Sequence, residues 1–133
     1  MSNFRLCLIE DDQAFLYLAK IIIQSVDNTI ETISFPDGKP AFEFFEQNKK
    51  NASLLPDLIL LDLNMPQMDG WGFLDAYDKI KVEIGKIIPI YILSSSIAEK
   101  DISRAKSNPL IVDFLSKPLE ESKFADILRT LKK

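Results

Sequence analysis

Short apolar runs alternate along the chain with stretches in which apolar residues recur every three or four positions. The runs are Leu6 to Ile9, Thr32 to Phe35, Leu58 to Leu61, Ile87 to Leu93 and Leu110 to Leu115. Four of them are near-continuous, as expected of strands covered on both faces. The second alternates and stops at Pro36, which suits a sheet edge. Between them, Phe15, Leu18, Ala19, Ile22, Ile23 and Val26 mark one helix face, and Ala41, Phe42 and Phe45 mark a second, with Pro40 in its first turn. Phe73, Leu74, Tyr77 and Ile80 mark a third helix, and Phe124, Ile127, Leu128 and Leu131 the last. The stretch Ala98 to Ser107 carries only Ile102 and Ala105 as apolar contacts, so the fourth helix is expected to be loosely held. Asp37-Gly38, Asp69-Gly70 and Asn108-Pro109 read as turns between elements. Strand and helix in strict alternation predict an α/β fold: a doubly wound five-stranded parallel sheet with helices on both faces.

Composition narrows what such a domain does. With 133 residues there is room for one core, so a single domain spanning 1–133 with no output segment after the last helix is expected. The net charge of −4 and the lack of a basic run argue against nucleic acid or an anionic membrane as partner. Cys7 stands alone inside an apolar run, which reads as a buried hydrophobe in a reducing, cytoplasmic setting. The chain contains no histidine. That removes histidine bases, histidine metal sites and Ser-His or Cys-His nucleophiles, and leaves polar chemistry to carboxylates, lysine, hydroxyls and backbone.

The residues that follow the runs carry that chemistry. Glu10-Asp11-Asp12 follows the first, Asp62 the third, Ser94-Ser95-Ser96 the fourth, and Lys117-Pro118 the fifth. In a parallel sheet all these ends lie on one edge, where open α/β sheets bind ligands. Clustered carboxylates repel unless a cation or proton neutralises them, and Mg²⁺ suits one or two carboxylates plus waters and a phosphate. Lys117 adds a point positive charge and Ser94 a hydroxyl donor, both suited to a phosphoryl group. Singly, each has a plainer reading, as a helix cap, a strand end or loop filler. Asp12 stands where the first helix needs its N-cap, so cap and cation neighbour are both open for it.

The segments Leu6 to Asp11, Asp62-Leu63-Asn64-Met65-Pro66-Gln67-Met68-Asp69-Gly70 and Ser116-Lys117-Pro118 together resemble bacterial response-regulator receivers of the CheY kind. The resemblance implies the flavodoxin-like strand order 2-1-3-4-5. It further implies that Asp62 is phosphorylated, that Asp11, Asp62 and the backbone carbonyl of Asn64 bind Mg²⁺, and that Glu10 acts through a bound water. Ser94 matches the hydroxyl that meets the phosphoryl group, Lys117 the lysine that neutralises it, and Phe114 the aromatic switch position. Asn64 and Ser96 then sit where they tune hydrolysis of the acyl phosphate. Ser94 replaces the commoner Thr and Phe114 the frequent Tyr, and Ser107 to Leu110 lacks the Gly-Ala turn common before the fifth strand.

The expected donor is a histidine kinase or phosphotransfer protein, because no histidine is present here. The expected output is a shape change of the face built from the fourth helix, fifth strand and last helix, acting on a protein target as a monomer or weak dimer. Two other readings stand beside this one. An Asp-nucleophile phosphatase expects a second Asp two residues after the nucleophile, where Asn64 stands. A receiver-like interaction module would work without phosphorylation.

Overall fold

The computed structural model describes residues 4–94 and 99–131. Its strands are Arg5–Ile9 (β1), Glu31–Phe35 (β2), Leu58–Asp62 (β3), Ile90–Ser94 (β4) and Ile111–Ser116 (β5). The helices are Gln13–Val26 (α1), Gly38–Asn48 (α2), Gly70–Ile80 (α3), Glu99–Lys106 (α4) and Glu121–Leu131 (α5). All strand pairs are parallel, in the order β2-β1-β3-β4-β5. The flavodoxin-like order implied by the resemblance is therefore the observed one.

Alternation within each strand divides the core into two layers. Leu6, Leu8, Leu58, Leu60 and Leu93 face α1 and α5, packing against Phe15, Ala19, Ile23, Phe124 and Leu128. Cys7, Ile9, Ile59, Leu61 and Ile92 face the other helices and meet Ala41, Phe45, Phe73, Tyr77 and Ala105. Phe45 sits edge-on to Phe73 and Tyr77, with ring centroids at 5.8 and 5.4 Å, which locks α2 against α3. Each fully buried Leu or Ile contributes roughly 1.5–3 kcal/mol, so the continuous apolar runs explain why the central strands hold. β2 is only partly buried, as its alternating sequence and edge position require. In α4, Ala105 is buried and Ile102 half-buried, and Ala98 lies outside the described residues.

Most strand ends fall within one residue of the apolar runs, and two differences are larger. The fourth strand begins at Ile90, and Ile87 is 98% exposed. Pro89 intervenes: it has no N–H to donate, and its carbonyl accepts the Ile59 N–H at 3.0 Å, so sheet pairing starts there and Ile87 is left outside. The pairs Asp37-Gly38 and Asp69-Gly70 are helix starts as well as turns. Asp37 and Asp69 are the N-caps of α2 and α3, and the glycines are the first helical residues.

Candidate phosphoryl and cation site at the carboxyl edge of the sheet

The strand order reverses about β1, so the carboxyl ends of β1 and β3 lie side by side and the polar residues after them share a crevice. Ile9 pairs with Leu61, which sets Glu10 and Asp11 beside Asp62. Carboxylate oxygens of Glu10, Asp11 and Asp62 lie within 4.8 Å of one another. Glu10 is 0% exposed and Asp62 4%, while Asp11 reaches solvent. Three hard oxygen donors, two of them buried, fit a divalent cation such as Mg²⁺.

Lys117 comes from the end of β5, two strands away from β3 in the sheet. Its backbone N–H donates to the Ser94 carbonyl at 2.9 Å, continuing the β4–β5 ladder one step past Ser116, and the Lys117-Pro118 peptide is cis. The ammonium forms an ion pair with Oε1 of Glu10 and lies 3.5 Å from Oδ1 of Asp62. Its Nζ stands 4.9 Å from the ring centroid of Phe15, the first large apolar residue of α1. Glu10 Oε2 accepts the Asp12 N–H at 3.2 Å.

These contacts act on the titrating groups in opposite senses. Burial pushes Glu10 up from 4.5 to about 7; the Lys117 hydrogen bond opposes this and the charge of Asp62 adds to it. Lys117 is held above the usual lysine range: burial alone would lower it, but Glu10 and Asp62 together outweigh burial. The raised Glu10 fixes the sign of a pH effect in metal-free protein. Between about 4.5 and 7 the folded chain keeps a proton that the unfolded chain has released, so stability falls as pH rises through that window. A group whose titration moves by one pH unit on folding contributes roughly 1.4 kcal/mol, less where solvent at the crevice mouth screens it. Denaturant unfolding in the presence of EDTA should accordingly show a loss on the order of 2 kcal/mol from about pH 5 to about pH 7.5. Glu10→Gln should flatten it, and an unchanged slope in that variant would assign the effect elsewhere.

Asp12 caps α1: its Oδ1 accepts the Phe15 N–H at 3.1 Å, and it is not one of the three clustered carboxylates. Residues 6–129 match the family model of the response regulator receiver domain. This chain belongs to the response-regulator receiver family.

Three relatives are similar to this chain over different shares of their length. Probable methanogenesis regulatory protein FilR2 of Methanothrix harundinacea is 30% identical over 128 residues, covering 96% of this chain and 79% of its own length. Response regulator Rcp1 of Synechocystis is 35% identical over 96 residues, 71% of this chain and 64% of Rcp1. The chain spans only 28% of a protein-glutamate methylesterase/protein-glutamine glutaminase of Cereibacter sphaeroides, at 32% identity. Among solved structures, a two-component response regulator from Cytophaga hutchinsonii superposes with a TM-score of 0.86 at 23% identity, covering 99% of this chain and 98% of that one. The phosphorylated cyanobacterial phytochrome response regulator RcpA does so with 0.76 at 28% identity, covering 98% of this chain and 92% of that one.

The remaining receiver positions fall as follows. Ser94 pairs with Ser116 at the end of β4, one residue past the level of Asp62. By alternation it lies on the same sheet face as Ile92 and Phe114, and Phe114 is partly buried in the layer beneath α4. Asn64 is exposed in the loop after β3. Ser96 lies outside the described residues. Among the described residues no helix is long and apolar enough to cross a membrane.

Two contacts of the site have no signature in the sequence. One is the Glu10–Lys117 ion pair, between residues far apart in the chain. The other is Asp37, whose buried carboxylate reaches the Asp62 loop. Its aspartate-glycine pair was the available signal, but it spoke only of a turn.

Proposed function

We propose that this receiver accepts a phosphoryl group on Asp62 from a histidine kinase or phosphotransfer protein and signals by a change of shape. The observation that carries the reading is the Lys117 ammonium set between Glu10 and Asp62 at a three-carboxylate crevice. In the transfer, an Asp62 oxygen forms a bond to phosphorus as the donor's phosphorus–nitrogen bond breaks, and the imidazole leaves carrying a proton. Mg²⁺ held by Asp11, Asp62 and the Asn64 carbonyl, with Glu10 acting through water, supplies charge neutralisation when bound. Lys117 needs no recruitment, since its ammonium already lies 3.5 Å from the acceptor, and it stabilises charge developing on the phosphoryl oxygens.

Ser94 then turns its hydroxyl to the phosphoryl group, and the space it vacates on the shared sheet face lets Phe114 move inward. This biases the α4-β5-α5 face between two populations. Lacking a ring hydroxyl, Phe114 signals by packing alone. Asn64 and Ser96 set how readily water reaches the acyl phosphate. The reading makes 1–133 one receiver domain in a cytoplasmic setting, whose output is a protein partner met as a monomer or weak dimer.

Incubation with Mg²⁺ and a small phosphodonor should add one phosphoryl mass to wild type and none to Asp62→Ala. No gain in wild type, or an equal gain in the variant, contradicts the proposal. An Asp-nucleophile phosphatase would instead show sustained turnover of a phosphate ester, and a phosphorylation-independent module would bind its partner equally in both states.

A further inference from the structure

The loop between β3 and α3, residues 63–69, contains Asn64, and it is held by a residue outside the three-carboxylate cluster. Asp37, at the end of the β2–α2 turn, is 5% exposed. Its Oδ1 accepts the Gln67 N–H at 3.0 Å, and its Oδ2 accepts the Met68 N–H at 2.9 Å and the Lys39 N–H at 3.1 Å. Gly38 closes the grip by donating its N–H to the Met68 carbonyl at 3.1 Å. The approach admits no side chain, since a Cβ at position 38 would stand 2.5 Å from that carbonyl oxygen. Burial alone would raise the Asp37 carboxyl, but the N–H groups of Lys39, Gln67 and Met68 that donate to it, with the Gly38 N–H nearby, outweigh it and hold it below the usual range. Capping α2 uses only the Lys39 bond; the two to Gln67 and Met68 serve the loop.

We infer that Asp37 is a positioning residue for the phosphoacceptor site, clamping the apex of the loop so that the Asn64 carbonyl points at the cation. The inference rests on the reading of Asp62 as acceptor and Asn64 as a backbone ligand. The loop is also fixed at its base, where the Gly70 N–H donates to the Leu63 carbonyl at 3.0 Å, and by the buried side chains of Leu63 and Met65. Between base and apex lies Asn64, so freeing the apex loosens the carbonyl while leaving the carboxylates of Glu10, Asp11 and Asp62 in place. The clamp also ties the acceptor loop to α2, an element otherwise remote from the chemistry.

The discriminating substitution is Asp37→Ser, whose single hydroxyl can still cap α2 but cannot span to the loop. Asp37→Asn keeps the side chain's length and loses one of the two loop bonds. Calorimetric titration with Mg²⁺ should show affinity falling about tenfold in Asp37→Ser and less in Asp37→Asn, the size typical of residues that orient metal ligands. The Mg²⁺ concentration for half-maximal labelling by a small phosphodonor should rise by the same factor. A role confined to folding would lower the melting temperature and leave Mg²⁺ affinity unmoved. Affinity within about twofold of wild type in Asp37→Asn, and in Asp37→Ser where that variant's circular dichroism is native, overturns the clamp. A wild type that binds Mg²⁺ yet takes no phosphoryl group overturns the acceptor reading instead.

Discussion

Replacing Lys117 with methionine is expected to destabilise the metal-free chain by about 3 kcal/mol at pH 8, the cost of removing one partner from a buried ion pair. Lys117 is the cation paired with Glu10 and near Asp62, and the three side chains are 16%, 1% and 6% exposed. Methionine keeps an unbranched apolar stem beside Phe15, so the change isolates the charge. Glu10 already titrates at about 7 with the ammonium present; without it, Glu10 holds its proton to higher pH still. The deficit should therefore shrink on acidification to pH 5.5, where Glu10 is neutral in both proteins, and also on adding Mg²⁺. Urea unfolding under these three conditions measures it. A loss below about 1 kcal/mol at pH 8 would mean that solvent, and not Lys117, compensates the buried carboxylates.

Gly70→Val is expected to cost about 3 kcal/mol or more and to slow phosphorylation at least tenfold in whatever fraction folds. A Cβ at position 70 would lie 2.7 Å from the Asp62 carbonyl oxygen and 2.9 Å from the Leu63 Cα, both backbone atoms of the segment that presents the acceptor. No described glycine has positive φ, so the requirement at Gly70 is for space and not for an unusual conformation. Gly72 is the comparison site, with Gly70→Ala made beside it so that both positions gain the same methyl. Its nearest neighbours are side-chain atoms, Met68 Cγ at 3.0 Å and Asp69 Oδ1 at 3.4 Å, so Gly72→Ala should cost under about 1 kcal/mol. Thermal unfolding and labelling rates of the two alanine variants decide between a steric cause and a general sensitivity of α3. Equal losses in both would contradict the steric account.

The apolar runs made the five strands legible because parallel strands buried on both faces have little freedom in composition. The polar residues behind those runs made the site legible, since parallel topology carries every such residue to one edge. The misplacement at Ile87 arose because an isoleucine before Pro89 looks like strand until the missing N–H is counted. Sequence offers Asp12 two roles, and its bond to the Phe15 N–H shows the helix cap. The contacts of Glu10 with Lys117, and of Asp37 with Gln67 and Met68, were not legible. Each joins residues from different elements, and chain order tells which residues end a strand without telling where their side chains reach.

The most direct test of the account locates the phosphoryl group. After labelling with Mg²⁺ and a small phosphodonor, borohydride reduction should convert the acyl phosphate to homoserine, which peptide sequencing by mass spectrometry can place. Homoserine is expected at position 62 alone, with Asp11 and Asp12 unmodified. Homoserine at either of those positions, or an intact Asp62 in protein that has gained the phosphoryl mass, would contradict it.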